Sequence, residues 1–213
     1  MKYIIKGQSP AKFDRWKEQE NDNWKPTWDN LRNPEKGILK EALLNDQGHI
    51  CCYCGIRVNN DHNTEIEHVK PRFECVEEEK LDYNNLIVSC IGGRKDPLPK
   101  ELSCNAKRGN DQLKMSPLNP DCENRFLYTL DGQILTKDEE DGDCLDTIRV
   151  LGLDIERLKN IRKSKLLYYR NINKSQAQEL VNAFSEKKIE EGKNKYTELS
   201  FVLINYLKFK YNI

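Results

Sequence analysis

The chain has 213 residues and no net charge, with 35 Lys and Arg against 35 Asp and Glu, so bulk attraction to nucleic acid is weak and any binding must come from local patches or a partner. No run approaches the ~20 apolar residues of a membrane span, and the balance of charged and apolar residues implies a compact core, as one large domain or two small ones, with solvated helix around it. The opening Met1-Lys2-Tyr3-Ile4-Ile5-Lys6 carries no apolar signal segment, so a cytoplasmic setting is expected, in which the eight cysteines are metal ligands or free thiols rather than disulfides.

Ser9 and Pro10 predict a short helix through Trp16, with serine as N-cap and proline at the first helical position. Trp24-Lys25-Pro26-Thr27-Trp28 reads as a loop. Residues 34–45 place Ile38, Leu39, Ala42, Leu43 and Leu44 on a helical stripe that ends before Gln47-Gly48. A tight hairpin is expected over residues 50–58, around Cys51 and Cys54 with Gly55 closing the C-x-x-C knuckle. Residues 64–69 read as a strand with Thr64, Ile66 and His68 on one face and Glu65 and Glu67 on the other. Residues 104–115 predict a helix whose start carries Asn105.

In the second half, Asp131-Gly132 between Phe126-Leu127-Tyr128 and Ile134-Leu135 signals a type I′ hairpin. Asp154 caps an expected helix with Ile155, Leu158, Ile161, Lys165 and Tyr169 near one face, and further helices are expected over 175–191 and 193–211. Arg157, Lys159, Arg162, Lys163, Lys165 and Arg170 form a basic stretch, either a solvated helix face or a phosphate contact. The terminal segment, with Phe201, Val202, Leu203, Tyr206, Leu207 and Phe209, is apolar enough either to pack on the chain's own core or to present a docking face.

The chemistry-bearing residues lie between Cys51 and Asn105. Cys51, Cys54, Cys90 and Cys104 are a complete tetrahedral set for a structural zinc. The long loop of residues 91–100 between the second pair is tolerated because closure entropy grows slowly with length. Cys52, Cys75, Cys122 and Cys144 lack ligand spacing and read as ordinary small residues. His49 and His62 read as surface residues, with His49 close enough to the knuckle to be an alternative ligand. A plain zinc knuckle has no need of Glu67-His68, of the Asn85 that opens Asn85-Leu86-Ile87-Val88-Ser89-Cys90, or of the Asn105 fused to Cys104.

That order resembles the HNH, or ββα-metal, nucleases, with the three letters reading His68, Asn85 and Asn105. The resemblance implies an α+β fold with a ββα-metal core beside the zinc site. Phosphodiester hydrolysis needs a neutral imidazole to take a proton from water, the role for His68. It also needs a hard divalent cation, Mg²⁺ or Mn²⁺, on oxygen ligands, for which Glu67 and Asn105 are the candidates. The family more often has aspartate before the histidine, and the strand alternation turns Glu67 away from His68, so Glu65 stays open as a rival ligand. The third letter is more often histidine, although Asn105 can also offer an oxygen. In this family the loop carrying the middle asparagine, here Asn85, faces the histidine strand and is braced by its amide. Lys107 and Arg108 are suited to hold phosphate oxygens.

Over nearly the full length, Gln47-Gly48-His49-Ile50-Cys51-Cys52-Tyr53-Cys54-Gly55, Ile66-Glu67-His68-Val69-Lys70-Pro71, Cys104-Asn105-Ala106-Lys107-Arg108-Gly109, Ser116-Pro117-Leu118-Asn119-Pro120 and Leu151-Gly152-Leu153 resemble the PtuB effector nucleases of Septu anti-phage systems and their retron-associated relatives. The resemblance implies a helical segment over 1–48, an HNH core with zinc over 49–116, and a hairpin and helical region over 117–213. It also implies control by a PtuA-like partner ATPase of the ABC or SMC type, and in some systems by a retron reverse transcriptase and its DNA. The region after Asp154 is the expected docking surface. A noncatalytic zinc-stabilised module that binds nucleic acid or protein is the alternative, and it would need the four cysteines without Glu67, His68, Asn85 and Asn105. DNA and RNA stay open as substrates.

Overall fold

A computed structural model describes residues 1–94 and 101–213. Most of the long loop expected between Cys90 and Cys104, residues 95–100, lies outside the described residues. Helix α1 (Ala11–Lys17) starts one residue later than the Ser-Pro pattern predicts: Pro10 is itself the N-cap, and Ser9 Oγ donates to Asp14 Oδ1 at 2.8 Å instead. Trp28–Asn30 form a 3₁₀ turn held by reciprocal capping, in which Thr27 N–H donates to Asn30 Oδ1 and Asn30 N–H to Thr27 Oγ1.

Helix α2 (Glu35–Gln47) buries Leu39, Leu43, Leu44 and Gln47, the i, i+4 stripe of a helix with one face on a core. Gln47 is inside because its amide is fully used. It donates to the carbonyls of Ile50 and Val88 and accepts from Val88 N–H, tying α2 to the neighbouring sheet.

Strand β1 (Thr64–His68) pairs antiparallel with β2 (Leu86–Cys90), with Ile66 opposite Val88 and His68 opposite Leu86. Every residue of β2 is buried. In β1 both Glu67 and His68 are buried although they point to opposite faces, because the two-stranded sheet is covered on both sides at that end. The connection contains the short α3 (Glu77–Lys80). After β2 comes α4 (Cys104–Arg108), which packs on β2. It is shorter than the helix expected over 104–115, since Gly109 at φ +55 leaves helical conformation at once, as glycine does without steric cost.

Strands β3 (Phe126–Tyr128) and β4 (Ile134–Thr136) form the second hairpin. Its turn is not type I′: Gly132 N–H bonds the Thr129 carbonyl at 2.9 Å, and Gly132 at φ +88 is the one positive-φ residue in the turn. That is the geometry of a type I turn followed by a left-handed glycine. A β-carbon on Gly132 would lie 2.1 Å from the Lys159 carbonyl, so close packing also requires glycine there.

Helix α5 (Gly142–Leu151) is capped by Asp141, whose Oδ1 accepts from Cys144 N–H. Helix α6 (Glu156–Leu167) has Ile155 rather than Asp154 as its N-cap. The basic stretch of α6 is neither uniformly solvated nor a uniform phosphate face. Arg162 is buried and donates to the carbonyls of Gly132 and Leu153, and Lys159 pairs with Asp154 and Glu156.

Helix α7 (Lys174–Ser185) is followed by a hairpin of β5 (Lys188–Glu190) and β6 (Lys193–Lys195), and then by α8 (Ser200–Tyr211). The helices expected over 175–191 and 193–211 are therefore both shortened, the first ending at Ser185 and the second beginning at Ser200, with the β5–β6 hairpin and its turn at Glu191-Gly192, where both residues have positive φ, between them. Phe201, Val202, Leu203, Tyr206 and Leu207 of α8 are buried against α7, β3 and α6. The apolar terminal segment thus closes the chain's own core, and only Phe209, at 67% exposure, is left facing out from it. One contiguous cluster of buried residues draws on α1, α2, the cysteine knuckle, both hairpins of the middle region and α8. No helix among the described residues is long and apolar enough to cross a membrane.

Candidate functional site

Cys51 and Cys54 lie in the turn after Ile50, Cys90 ends β2 and Cys104 begins α4. The knuckle is shaped by Cys51 N–H to the Ile56 carbonyl and Gly55 N–H to the Cys51 carbonyl, both 2.9 Å. The four buried Sγ atoms lie within 4.8 Å of one another, with Cys51 to Cys104 at 3.9 Å and Cys54 to Cys90 at 3.8 Å. Tetrahedral zinc with Zn–S bonds of ~2.3 Å sets its sulfurs about 3.8 Å apart, so the quartet could bind zinc. Burial pushes the Cys51 thiol up, but hydrogen bonds from Cys104, Cys52, Cys54 and Cys90 hold it well below its ordinary value, whereas hydrogen bonds with Cys51, Cys54 and Cys90 and burial push Cys104 well above its own. Cys104 adopts φ +52, strained for a residue with a β-carbon.

All eight cysteines are free thiols. His62 is exposed, but His49 is wholly buried, with Nε2 on Asn45 Oδ1 at 3.1 Å. It is thus a core histidine rather than a surface one, and it stands outside the cysteine cluster.

His68 ends β1 at 6% exposure. Its Nε2 lies 3.0 Å from the Lys80 carbonyl. A carbonyl oxygen can only accept, so Nε2 carries the proton and Nδ1 keeps the lone pair. The edge of Trp28 packs against the imidazole with ring centroids 4.4 Å apart. Burial lowers the His68 pKa to about 4, against the pull of the Lys80 carbonyl and with help from Arg72 and Arg108, so the ring is neutral at pH 7.

Asn85 sits at the turn into β2. Its Oδ1 accepts from Lys70 N–H at 2.8 Å, and its Nδ2 donates to the Glu79 carbonyl at 3.1 Å and to Cys75 Sγ at 3.4 Å. Its backbone carbonyl accepts from Val69 N–H. These bonds tie the segment after His68, and α3 with it, to the start of β2.

The two carboxylates of β1 have different surroundings. Glu65 pairs with Arg94 at 2.5 Å and accepts from Asn105 Nδ2, so it is the acid beside the third asparagine. Glu67, two residues along on the same face of the strand, is buried, and its Oε1 accepts from Tyr53 Oη at 3.0 Å and from Arg108 Nη1. Burial pushes its carboxyl up and the Arg108 guanidinium opposes this. Glu67 Oε2 is buried with no hydrogen-bond partner among the described residues. An orphaned carboxylate oxygen at that depth is costly unless something binds it, and a divalent cation would.

Arg108 is spent inside. Besides Glu67 it donates to the carbonyls of His68, Val69 and Asp111 and to Tyr53 Oη, and it is 2% exposed. This differs from the phosphate contact expected of it, because the guanidinium neutralises a buried acid and pins α4 to β1. Lys107 is exposed on the opposite side of α4, with its Cγ near Gly152.

His68, Glu65, Glu67 and Asn105 share the wall of one cavity of about 590 Å³. The sequence motifs missed its other walls: Trp28, Lys36 and Lys40 from before the knuckle, and Arg72 and Arg94 from the connections flanking β1 and β2. For the lysines the available signal was their i, i+4 spacing on the polar side of α2.

No family model matches the chain. It is 30% identical over 186 aligned residues to the HNH endonuclease assigned to retron Ec83 in Escherichia coli, covering 68% of this chain and 72% of that protein. It is also 30% identical over 170 aligned residues to the HNH endonuclease assigned to retron Vc95 in Vibrio cholerae serotype O1 biovar El Tor, covering 76% and 78%.

Proposed function

This chain belongs to the HNH endonuclease family, and from that we propose that it is the nuclease effector of a retron defence system, with His68 as general base. The observation that carries the reading is the His68 ring: its Nε2–H is fixed on the Lys80 carbonyl, and it shares a cavity with Glu65, Glu67 and Asn105. In this arrangement Nδ1 takes the proton from the attacking water. Trp28 and the Lys80 carbonyl hold the ring in place, and Asn85 fixes the segment that presents that carbonyl.

Asn105 and Glu67 would hold a magnesium or manganese ion, with Glu65 as the rival to Glu67. Held there, such an ion would supply charge stabilisation for the phosphorane-like transition state and the leaving oxygen. The four cysteines would hold zinc as a structural ion, and Lys107 would meet backbone phosphate outside the cavity. For control of the enzyme we assign a retron reverse transcriptase with its DNA and, in a Septu-like arrangement, a PtuA-like ATPase. The support is the retron assignment of both relatives and the absence of net charge that would draw the chain to nucleic acid.

The test is manganese-dependent cleavage of DNA and RNA by the wild type and by His68→Ala, Glu65→Ala and Glu67→Ala. Loss of the base is expected to cost ~10²–10⁴ in rate while zinc content is unchanged. The carboxylate whose removal raises the manganese concentration needed for half-maximal rate is the ligand. Full activity in His68→Ala would remove His68 as base, and a wild type that binds nucleic acid without cutting it would establish the binding-module reading.

A further inference from the structure

The cavity beside His68 is not enclosed by β1, β2 and α4 alone. Part of its wall is α2, which offers Lys36 and Lys40. Residues four apart on a helix lie one turn apart on the same face, so both ammonium groups serve the cavity while Leu39 and Leu43 hold α2 in the core. Lys36 Nζ stands over the Trp28 ring, 5.6 Å from its centroid, and Lys40 Nζ donates to the Asp61 backbone carbonyl at 2.5 Å. Neither makes an ion pair with a carboxylate among the described residues. Asp61 and Glu65 both line the wall and attract Lys40 without pairing with it, and Glu65 is already engaged by Arg94 and Asn105. Many other lysines of this chain do have carboxylate partners, such as Lys70 with Glu79 and Lys193 with Glu41.

The wall carries Lys36, Lys40, Arg72, Arg94 and Arg108 against Asp61, Glu65 and Glu67, so in a chain of zero net charge it is a locally basic patch beside a neutral base, suited to a polyanion. We propose that Lys36 and Lys40 are a phosphate clamp that holds the nonbridging oxygens of backbone phosphates next to the scissile one. The clamp rests on the nuclease reading of the same site. It reassigns to α2 the role that Arg108, turned inward, cannot fill. Phosphate contacts of this kind position the strand without reading its sequence, so DNA and RNA are held alike.

The experiment separates binding from cutting. Zinc-loaded His68→Ala protein, with calcium in place of magnesium, is titrated against a fluorescein-labelled DNA strand, its duplex and the RNA of the same sequence over a range of NaCl concentrations. Each phosphate contact contributes ~0.7 on a single strand, or ~0.9 on a duplex, to the slope of log affinity against log salt. Adding Lys36→Ala or Lys40→Ala is expected to reduce that slope by about one contact each, and both together by about two. In the catalytic background each is expected to raise KM about tenfold with little change in kcat, and Lys36→Arg to restore it. Lys188→Ala, on exposed β5, is the control and leaves the slope unchanged. Unchanged slopes in both α2 variants overturn the clamp, as does a fall in zinc content or thermal midpoint large enough to explain the weaker binding. A wild type that cuts none of the three substrates sinks the nuclease reading instead, and the slopes are still measured independently of it.

Discussion

At the scale of single residues, His68 is neutral because its surroundings make charging it expensive. The unfolded chain would protonate this imidazole near its ordinary value of 6.5, whereas the folded protein does so only near 4. Between those values the unfolded state binds more protons, so the His68 contribution to stability is fully present above 6.5 and is lost as pH falls towards 4. Urea unfolding of the wild type and of His68→Gln tests this. The wild-type midpoint, taken relative to the variant, is expected to drop across that window and to stay level above pH 7; a difference that does not move with pH would show that burial does not govern the imidazole. The clustering of the four cysteines was legible in the sequence because the Cys51-Cys54 knuckle needs a second pair of thiols to complete a tetrahedral set, which Cys90 and Cys104 supply from the end of β2 and the start of α4. Alternation along a strand tells which face a side chain takes and not what waits there, so it could not foresee Arg108 on Glu67 or Asn105 on Glu65.

At the scale of elements, α2, β1 and the β3–β4 hairpin were readable from periodicity and turn residues, since their own patterns agree with the core they meet. The errors came where a local signal was overruled by a neighbour. The terminal helix stayed open between packing on the core and presenting a docking face because apolar residues that run almost all round a helix fit either. Helix α8 has α7, β3 and α6 against it, which no window of its own sequence reveals. The energetic consequence is unequal along the helix. Leu203→Ala removes a wholly buried side chain and is expected to cost about 2–5 kcal/mol, whereas Phe209→Ala, at 67% exposure, is expected to cost within about 0.5 kcal/mol. Chemical denaturation of the two variants checks the ranking, and equal losses would contradict the packing of α8.

At the scale of the whole molecule, the cysteine cluster and the cavity beside His68 are held by parts of the chain far from them in sequence. The knuckle that presents Cys51 and Cys54 is clasped by the C-terminal region: Leu199 N–H donates to the Gly55 carbonyl at 2.8 Å, and a β-carbon on Gly55 would meet the Phe201 ring at 2.8 Å. Arg57 adds to the clasp, donating to the Tyr196 carbonyl and, through its backbone N–H, to Glu198. On the other side α2 supplies both the Gln47 tie to β2 and the lysine wall of the cavity. None of these connections has a sequence signature, because each pairs residues brought together only by folding. Their consequence is that the cysteine cluster and the C-terminal helix stand or fall together. Ending the chain after Lys193 removes Leu199, Phe201 and the whole of α8, so the knuckle loses its backing as well as the core its lid. The truncated protein is expected to be recovered with little zinc and to show a broad, early unfolding transition, measured by elemental analysis and calorimetry. Retention of a full zinc complement by a cooperatively folded truncation would mean that the knuckle is self-sufficient and that the C-terminal region is free to serve a partner instead.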